Sequence, residues 1–273
     1  MTHTDYSQHI PAVIEIARAA GQMILDIYEK QDYQEFTKDD DTPVTSADIA
    51  AHKLIMKRLS QLTPDIPVLS EEAADISLDK RSQWGCYWLV DPLDGTQEFI
   101  ARSGDFATII ALVDNNRPVM GVVYGPVSGV TYYAYEGKGA WKIPDMAESV
   151  RISTHSHPQD DSAIVMAISR RQNINHTTAR MSTAWNYEMM PLGSAALKAC
   201  LVAEGASDCY LRLGPTGEWD TAATQCIVTE AGGTILSTAL EPLSYNLRET
   251  LENPNFIVIG DRDLPWAEIL LQK

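Results

Sequence analysis

Cysteine is scarce and scattered. Cys86, Cys200, Cys209 and Cys226 are the only four in 273 residues, with no CxxC pair among them, which argues against both a zinc ribbon and a disulfide framework. No apolar run approaches the ~18 residues of a membrane span. The polar stretch from Met1 to His9 has no basic segment leading into an apolar one, so no secretory signal is read. Positive charge is also short: 21 Lys and Arg face 37 Asp and Glu, a net charge of −16. That field opposes a nonspecific grip on nucleic acid or anionic lipid, so a phosphorylated ligand would need cations supplied locally. What is present, 45% hydrophobic and 21% charged residues, is ordinary globular composition without repeats. A cytoplasmic protein is expected, monomer or homodimer, with peripheral contact at the inner membrane left open.

Apolar residues at Ile10, Val13, Ile14, Ala17, Ala20, Ile24, Ile27 and Tyr28 keep helical spacing, so residues 9–30 read as one amphipathic helix. A charged loop over 31–42 precedes Thr45-Ser46-Ala47-Asp48, a capping box with Thr45 as N-cap of a helix ended by Thr63 and Pro64. Pro67–Ser70 and Tyr87–Val90 read as strands that each run into acids, Glu71-Glu72 and Asp91. Runs at 108–113, 119–124 and 130–135, separated by turn residues, read as an antiparallel meander. Past a weak linker at 144–149 the pattern alternates: strands at 163–168, 187–191, 208–213 and 256–259, and helices at 194–204, 218–231 and the C-terminus. Two halves are expected, an α+β half over 1–149 and an α/β half over 150–273.

The chemistry gathers in Trp88-Leu89-Val90-Asp91-Pro92-Leu93-Asp94-Gly95-Thr96. A strand delivers Asp91, Pro92 is expected to stop it, and a turn returns Asp94 to the same side. Two carboxylates and the Leu93 carbonyl then converge on hard cations. Oxygen donors alone favour magnesium over zinc. Gly95 permits close backbone approach, and Thr96 is read as cap of a helix whose N-terminus faces a phosphate. Glu71-Glu72 at a strand end and Asp220 at a helix start add acids, and with Asp91 and Asp94 they would place about −4 at one point, a charge that only multivalent cations stabilise. Metal-assisted phosphoester hydrolysis follows.

Asp91-Pro92-Leu93-Asp94-Gly95-Thr96, the upstream Glu71-Glu72 and the downstream Trp219-Asp220-Thr221-Ala222-Ala223 resemble the signatures of the lithium-sensitive, magnesium-dependent phosphatase superfamily that includes inositol monophosphatase. Thr42 to Asp48, Val68 to Glu72, Asp94 to Ile100 and Leu201 to Gly205 resemble most its bacterial 3'(2'),5'-bisphosphate nucleotidase branch. Gln97 departs from the Lys expected there. The resemblance implies the layered αβαβα sandwich of inositol monophosphatase and fructose-1,6-bisphosphatase. It implies that Glu71, Asp91, the Leu93 carbonyl, Asp94 and Asp220 hold two to three magnesium ions, with Glu72 outside the set. Thr96 paired with Asp48 would activate water, with Glu71 also counted among the catalytic groups, and the reacting phosphate would contact Leu93, Asp94, Gly95, Thr96 and Asp220. The substrate would be adenosine 3',5'-bisphosphate, yielding AMP, with 3'-phosphoadenylyl sulfate as a further substrate and a place in sulfur assimilation.

The rest of the nucleotide should fall to the second half. Gly193-Ser194 opens a helix, Lys198 follows, and Arg212 ends a strand, so these two cations are candidates for the 5'-phosphate. Ser169-Arg170-Arg171 is a further candidate. Three rivals stand beside this reading: an inositol-monophosphatase-like sugar phosphatase, a haloacid-dehalogenase-type phosphatase with Asp91 as covalent nucleophile, and an acidic metal-binding protein without catalysis. The dehalogenase motif has one residue between its acids, whereas Pro92 and Leu93 intervene here.

Overall fold

The computed structural model describes residues 5–31, 33–37, 43–145, 147–158 and 162–271. After a 3₁₀ turn at Ser7–His9, α1 (Ile10–Lys30) buries Val13, Ile16, Ala17, Ala20, Ile24 and Tyr28 on the stripe its spacing predicts. Residues 38–42, Thr42 included, lie outside the described residues. The expected loop is not all loop, because β1 (Glu35–Thr37) pairs antiparallel with β2 (Pro43–Thr45). Then α2 (Ser46–Leu62) starts at the Thr45–Asp48 capping box, and its far end is held where Trp88 Nε1 donates to Thr63 Oγ1 at 2.8 Å.

The large sheet has seven strands in the order β3 (Val68–Ser70), β4 (Cys86–Asp94), β5 (Ala107–Asp114), β6 (Arg117–Gly125), β7 (Val130–Tyr135), β8 (Ala140–Ile143) and β9 (Val150–Ile152). Only β3 and β4 are parallel. Between them lie a 3₁₀ turn at Glu71–Ala73 and α3 (Leu78–Arg81), and α4 (Thr96–Ile100) leaves the end of β4. The expected stop at Pro92 does not occur. Instead β4 passes through the proline, with a register shift against β5 between Asp91 and Asp94. The Pro92 carbonyl accepts Thr108 Oγ1 at 3.0 Å, and the irregularity absorbs the proline's missing donor. Three- and four-residue strands such as β8 and β9 are too short to show a period, and sequence reading passes over both. Because β9 belongs to this sheet, the expected division at 149/150 would separate it from its own neighbours.

The second sheet runs β11 (Tyr187–Leu192), β10 (Ile164–Ser169), β12 (Cys209–Arg212), β14 (Phe256–Ile259), β13 (Thr234–Ser237), with β10 parallel to both β11 and β12. Its connections carry α5 (Ile174–Thr178), α6 (Ala195–Ala203) and α7 (Glu218–Ala231), and α8 (Trp266–Ile269) follows β14.

Burial of both faces of the large sheet explains why its strands are apolar throughout rather than alternating. One face joins α1 and α2 in a core with Trp88, Val90, Ile110, Leu112 and Val122. The other face sends Leu89, Ile109, Ala111 and Val123 against Ala196, Ala199, Ala222 and Ile227 of α6 and α7, which also meet Tyr210 and Val258 of the second sheet. Beyond that sheet, Met166, Leu211 and Ile257 pack on Trp266 and Ile269. The layers are therefore helix, sheet, helix, sheet, helix, as expected. At Gly121 on β6 a Cβ would stand 2.2 Å from the Ala223 carbonyl oxygen, so only glycine lets α7 lie this close to the sheet.

Candidate active site

The end of β4, the 3₁₀ turn after β3 and the starts of α4, α6 and α7 open on one cleft of about 620 Å³. Glu71, Asp91, Leu93, Asp94, Gly95, Thr96, Ser194, Lys198, Arg212 and Asp220 all line it. Glu72 is not among the lining residues, and Gly193 and Asp48 stand directly behind them.

At the floor, Asp91, Asp94 and Asp220 each bring a carboxylate oxygen within 4.8 Å of the other two. Each also has an oxygen tied to the protein. Asp91 Oδ1 accepts the Leu93 amide at 2.9 Å, closing the turn that the sequence suggests. Asp94 Oδ2 accepts the Ala196 amide at 2.9 Å and a short hydrogen bond from Ser194 Oγ, so the first turn of α6 holds it. Asp220, third residue of α7, accepts the Gly217 amide on Oδ2 at 2.6 Å. One oxygen per carboxylate is thus spent on orientation.

Electrostatics show what such crowding costs. Burial first, then the charges of Glu71, Asp220 and Asp94, hold the Asp91 carboxyl well above the ordinary carboxylate range. Burial followed by Asp94 and Glu71 does the same to Asp220. Glu71 contributes to the shift on Asp91 through its charge and, least, through a side-chain hydrogen bond. An all-oxygen donor set too close to ionise fully without help fits hard multivalent cations, and not the thiolate or imidazole chemistry of zinc.

Beside the floor stands Thr96. Gly95, at φ 94°, is the N-cap of α4, with the Asp105 carbonyl 3.1 Å from where a Cβ would be. Thr96 is therefore the first helical residue and not the expected cap, and its hydroxyl is turned elsewhere. Thr96 Oγ1 donates to Asp48 Oδ1 at 3.0 Å. Asp48 Oδ2 takes the Thr45 amide at 2.7 Å and the Thr45 hydroxyl at 2.5 Å. The capping box and the Thr96 contact are two uses of one carboxylate. Burial raises the Asp48 pKa, and the hydrogen bonds from Thr45 pull against it.

On the second-half side the placement of Lys198 differs from a simple solvent-facing cation. Its side chain is buried, with Nζ donating to the Ser194, Gly193 and Leu192 carbonyls at 2.6, 2.8 and 3.4 Å and lying 4.9 Å from the Tyr210 ring centroid. Burial draws the ammonium down to about 8, with Asp94 opposing the shift. Arg212 donates from Nη2 to the Pro215 carbonyl at 3.0 Å. The Gly193 amide donates to Asp105 Oδ2 at 2.8 Å. Ile76, Trp219 and Leu251 add apolar wall.

Residues that sequence reading missed hold this arrangement together. Buried Arg81 donates to Asn246 Oδ1 and to the carbonyls of Ile76, Arg248 and Glu249, while the Asn246 amide donates to Glu218 Oε2, two residues before Asp220. Little local marks Arg81, since all of these partners but the Ile76 carbonyl lie more than 160 positions away. Glu98 and Asp105 pair with Arg171 and Arg170 across the two halves.

Comparison with known proteins bears on this geometry. The model of the "Inositol monophosphatase family" matches residues 5–262. A protein of Aggregatibacter actinomycetemcomitans named 3'(2'),5'-bisphosphate nucleotidase CysQ is 42% identical over 94% of each chain. One of the same name from Salmonella typhimurium is 44% identical over 90% of this chain and 97% of its own. Among solved structures, CysQ from Bacteroides thetaiotaomicron superposes with a TM-score of 0.80 at 38% identity, covering 94% of this chain and 98% of that one.

Proposed function

This chain belongs to the inositol monophosphatase family, and we propose that within it the protein is a metal-dependent 3'(2'),5'-bisphosphate nucleotidase. It removes the 3'-phosphate of adenosine 3',5'-bisphosphate to leave AMP, and it accepts 3'-phosphoadenylyl sulfate as a second substrate, a role in sulfur metabolism. The carrying observation is the meeting of three orientated carboxylates, Asp91, Asp94 and Asp220, with the Thr96–Asp48 pair in one cleft. Relatives named for this activity at 40–44% identity support the choice of substrate.

Glu71, Asp91, the Leu93 carbonyl, Asp94 and Asp220 would hold the cations, two to three magnesium ions by their oxygen-only chemistry. When bound, these supply charge neutralisation, polarisation of the phosphate and acidification of water. The protein's own groups do the rest. Because Thr96 gives its proton to Asp48, its oxygen keeps lone pairs for a water proton, and Asp48 is the group that stabilises the resulting positive character. Asp48 is held by Thr45, so it offers the Thr96 hydroxyl a fixed acceptor at 3.0 Å, nearer than the Leu93 carbonyl at 3.4 Å. Glu71, between the strand end and Asp91, tunes the protonation of that carboxyl. The reacting phosphate rests against Leu93, Asp94, Gly95, Thr96 and Asp220, and the Gly193–Ser194 start of α6 borders it through Asp94.

Arg212 takes the 5'-phosphate, while Lys198 adds charge from behind and holds the carbonyls of Leu192 to Ser194. The apolar stretch of Ile76, Trp219 and Leu251 suits a nucleoside better than a bare cyclitol. No helix among the described residues is long and apolar enough to cross a membrane. Four unpaired cysteines, three of them buried, support work in the reducing cytoplasm. Phosphate release from adenosine 3',5'-bisphosphate and from inositol 1-phosphate, each with magnesium and with EDTA, tests the proposal. Magnesium-dependent release with preference for the nucleotide is expected; preference for the cyclitol would point to the sugar-phosphatase alternative.

A further inference from the structure

The floor of the cleft is acidic and a bisphosphate brings a second phosphate that does not react, so cations must also stand away from the floor. Among the described residues three cationic side chains line the cleft: Arg171, Lys198 and Arg212. Lys198 is 2% exposed and already surrounded by carbonyls. Arg212 has one nitrogen on the Pro215 carbonyl. Arg171, in the turn that follows β10, is different because its side chain is 46% exposed and nevertheless fixed.

Its Nε donates to Glu98 Oε1 at 2.8 Å and its Nη2 to the Gln97 carbonyl at 3.0 Å. Glu98 is a rigid anchor, since its carboxylate is 7% exposed and its other oxygen accepts Ser103 Oγ at 2.6 Å. The whole Nε–Nη2 edge of the guanidinium is spent on the protein, while Nη1 donates to no described residue. A planar cation held by one edge has lost its rotamer entropy beforehand, which makes the remaining edge a preorganised receptor for a phosphoryl group. Its place is also set by the fold. The two groups that hold it are the second and third residues of α4, immediately after Thr96. Gln97 is neutral, so the charge at this point of the cleft comes from Arg171. Its neighbour Arg170 is bound to Asp105 Oδ2 at 2.6 Å, the same oxygen that takes the Gly193 amide, and so serves the scaffold.

We infer that Arg171 is a specificity-determining residue whose outer guanidinium edge binds the non-reacting phosphoryl group of a nucleoside bisphosphate. This rests on the substrate class proposed above. The alternative is that Arg171 and Glu98 only latch the two halves together. The two roles differ in what Glu98 does: a latch needs its charge, whereas a receptor needs the cation and an acceptor on its inner edge, which a glutamine side-chain oxygen also supplies.

The test measures kcat and KM on adenosine 3',5'-bisphosphate and on adenosine 3'-monophosphate, which lacks only the second phosphate, for the magnesium-loaded wild type, Arg171→Ala, Arg171→Lys and Glu98→Gln. Arg171→Ala should lower the wild-type preference for the bisphosphate, read as the ratio of the two KM values, by about ten- to hundredfold, as expected for losing a charge-assisted hydrogen bond. Arg171→Lys should recover part of that ratio. Glu98→Gln, which keeps the cation and removes the charge competing for it, should leave the ratio at or above the wild-type value. If Arg171→Ala and Glu98→Gln weaken both substrates alike, the pair is a latch and the inference fails. Should Arg171→Ala not fold, the Lys and Gln variants still separate the two outcomes. A wild type that shows no preference for the bisphosphate would overturn the substrate class itself, a result recognisable before any variant is made.

Discussion

On the floor of the cleft Asp91 and Asp94 are neighbours on one strand, and each carboxylate there is tied by an amide two or three residues away or by the facing start of α6. On the wall, Arg171, Lys198 and Arg212 come from the end of β10, from α6 and from β12, and Arg171 is placed by residues more than 70 positions distant. Asp91 and Asp220 are therefore orientated by local geometry, with Asp94 held by the facing start of α6, whereas Arg171 on the wall depends on how the two halves meet. A single floor can then serve many phosphate esters while wall residues choose among them.

If floor and wall divide the work this way, the largest losses come from the floor and strike every substrate. Asp91→Asn and Asp220→Asn should each cut turnover by at least about a thousandfold, more than the roughly 10–100-fold lost when a residue behind a ligand is removed. Calorimetric magnesium titration should show weakened binding in both. Glu71→Gln should approach them and Glu72→Gln should not, since only Glu71 lines the cleft. Retained turnover in either Asp variant would break the comparison.

Next in size is the pair beside the floor. Thr96→Ala should bind magnesium and product almost normally yet lower kcat by at least about a hundredfold, the loss of a positioned acid–base group. Thr96→Ser keeps the hydroxyl and should stay active. Asp48→Asn should match Thr96→Ala, and the double variant should be no worse, because the two act as one unit. A Thr96→Ala enzyme with full kcat would mean that the Thr96–Asp48 hydrogen bond is only structural.

How much of this was legible in the sequence follows from the same division. Asp91, Asp94 and Asp220 could be read because a strand end and a helix start place their ligands locally, and Asp48 because a capping box has fixed spacing. The layered fold could be read from alternating patterns of period 3.6 and long apolar strands. Pro92 was misleading, because the rule that proline ends a ladder ignores the irregularity that absorbs it. Thr96 was legible as a site residue but not in its local role, since only the positive φ of Gly95 moves the cap back by one position. The partners of Arg171 and Arg81 could not be read at all. Their placement is a property of packing between distant segments.

Wall residues should give smaller and more selective effects. Arg212→Ala should raise KM for the bisphosphate about tenfold, in the range of a charged hydrogen bond, with less change for the monophosphate. Lys198→Ala should instead lower Tm and weaken both substrates, because three carbonyls lose a shared donor. A rise confined to the bisphosphate KM would show that its ammonium leaves those carbonyls for the phosphate.

The smallest effect is on stability and follows from the floor's raised pKa values. A carboxyl whose pKa is higher folded than unfolded keeps its proton in the native state where the unfolded chain has lost it, so stability falls as pH rises from the ordinary carboxylate range through the raised folded values. Metal-free protein should therefore lose several degrees of Tm between pH 5 and pH 8, on the scale of ΔΔG of about 1–2 kcal/mol. Magnesium should restore more of it at pH 8 than at pH 5. A Tm gain from magnesium that is the same at both pH values would contradict the crowding of Asp91 and Asp220.

The account joins an acidic floor that hydrolyses to a wall that selects, and the position of the phosphate left behind reads both at once. Adenosine 3',5'-bisphosphate turned over with magnesium should give 5'-AMP as the single nucleotide product by ³¹P NMR or chromatography, and nothing in EDTA. Formation of adenosine 3'-monophosphate, or equal release with the metal removed, would contradict it.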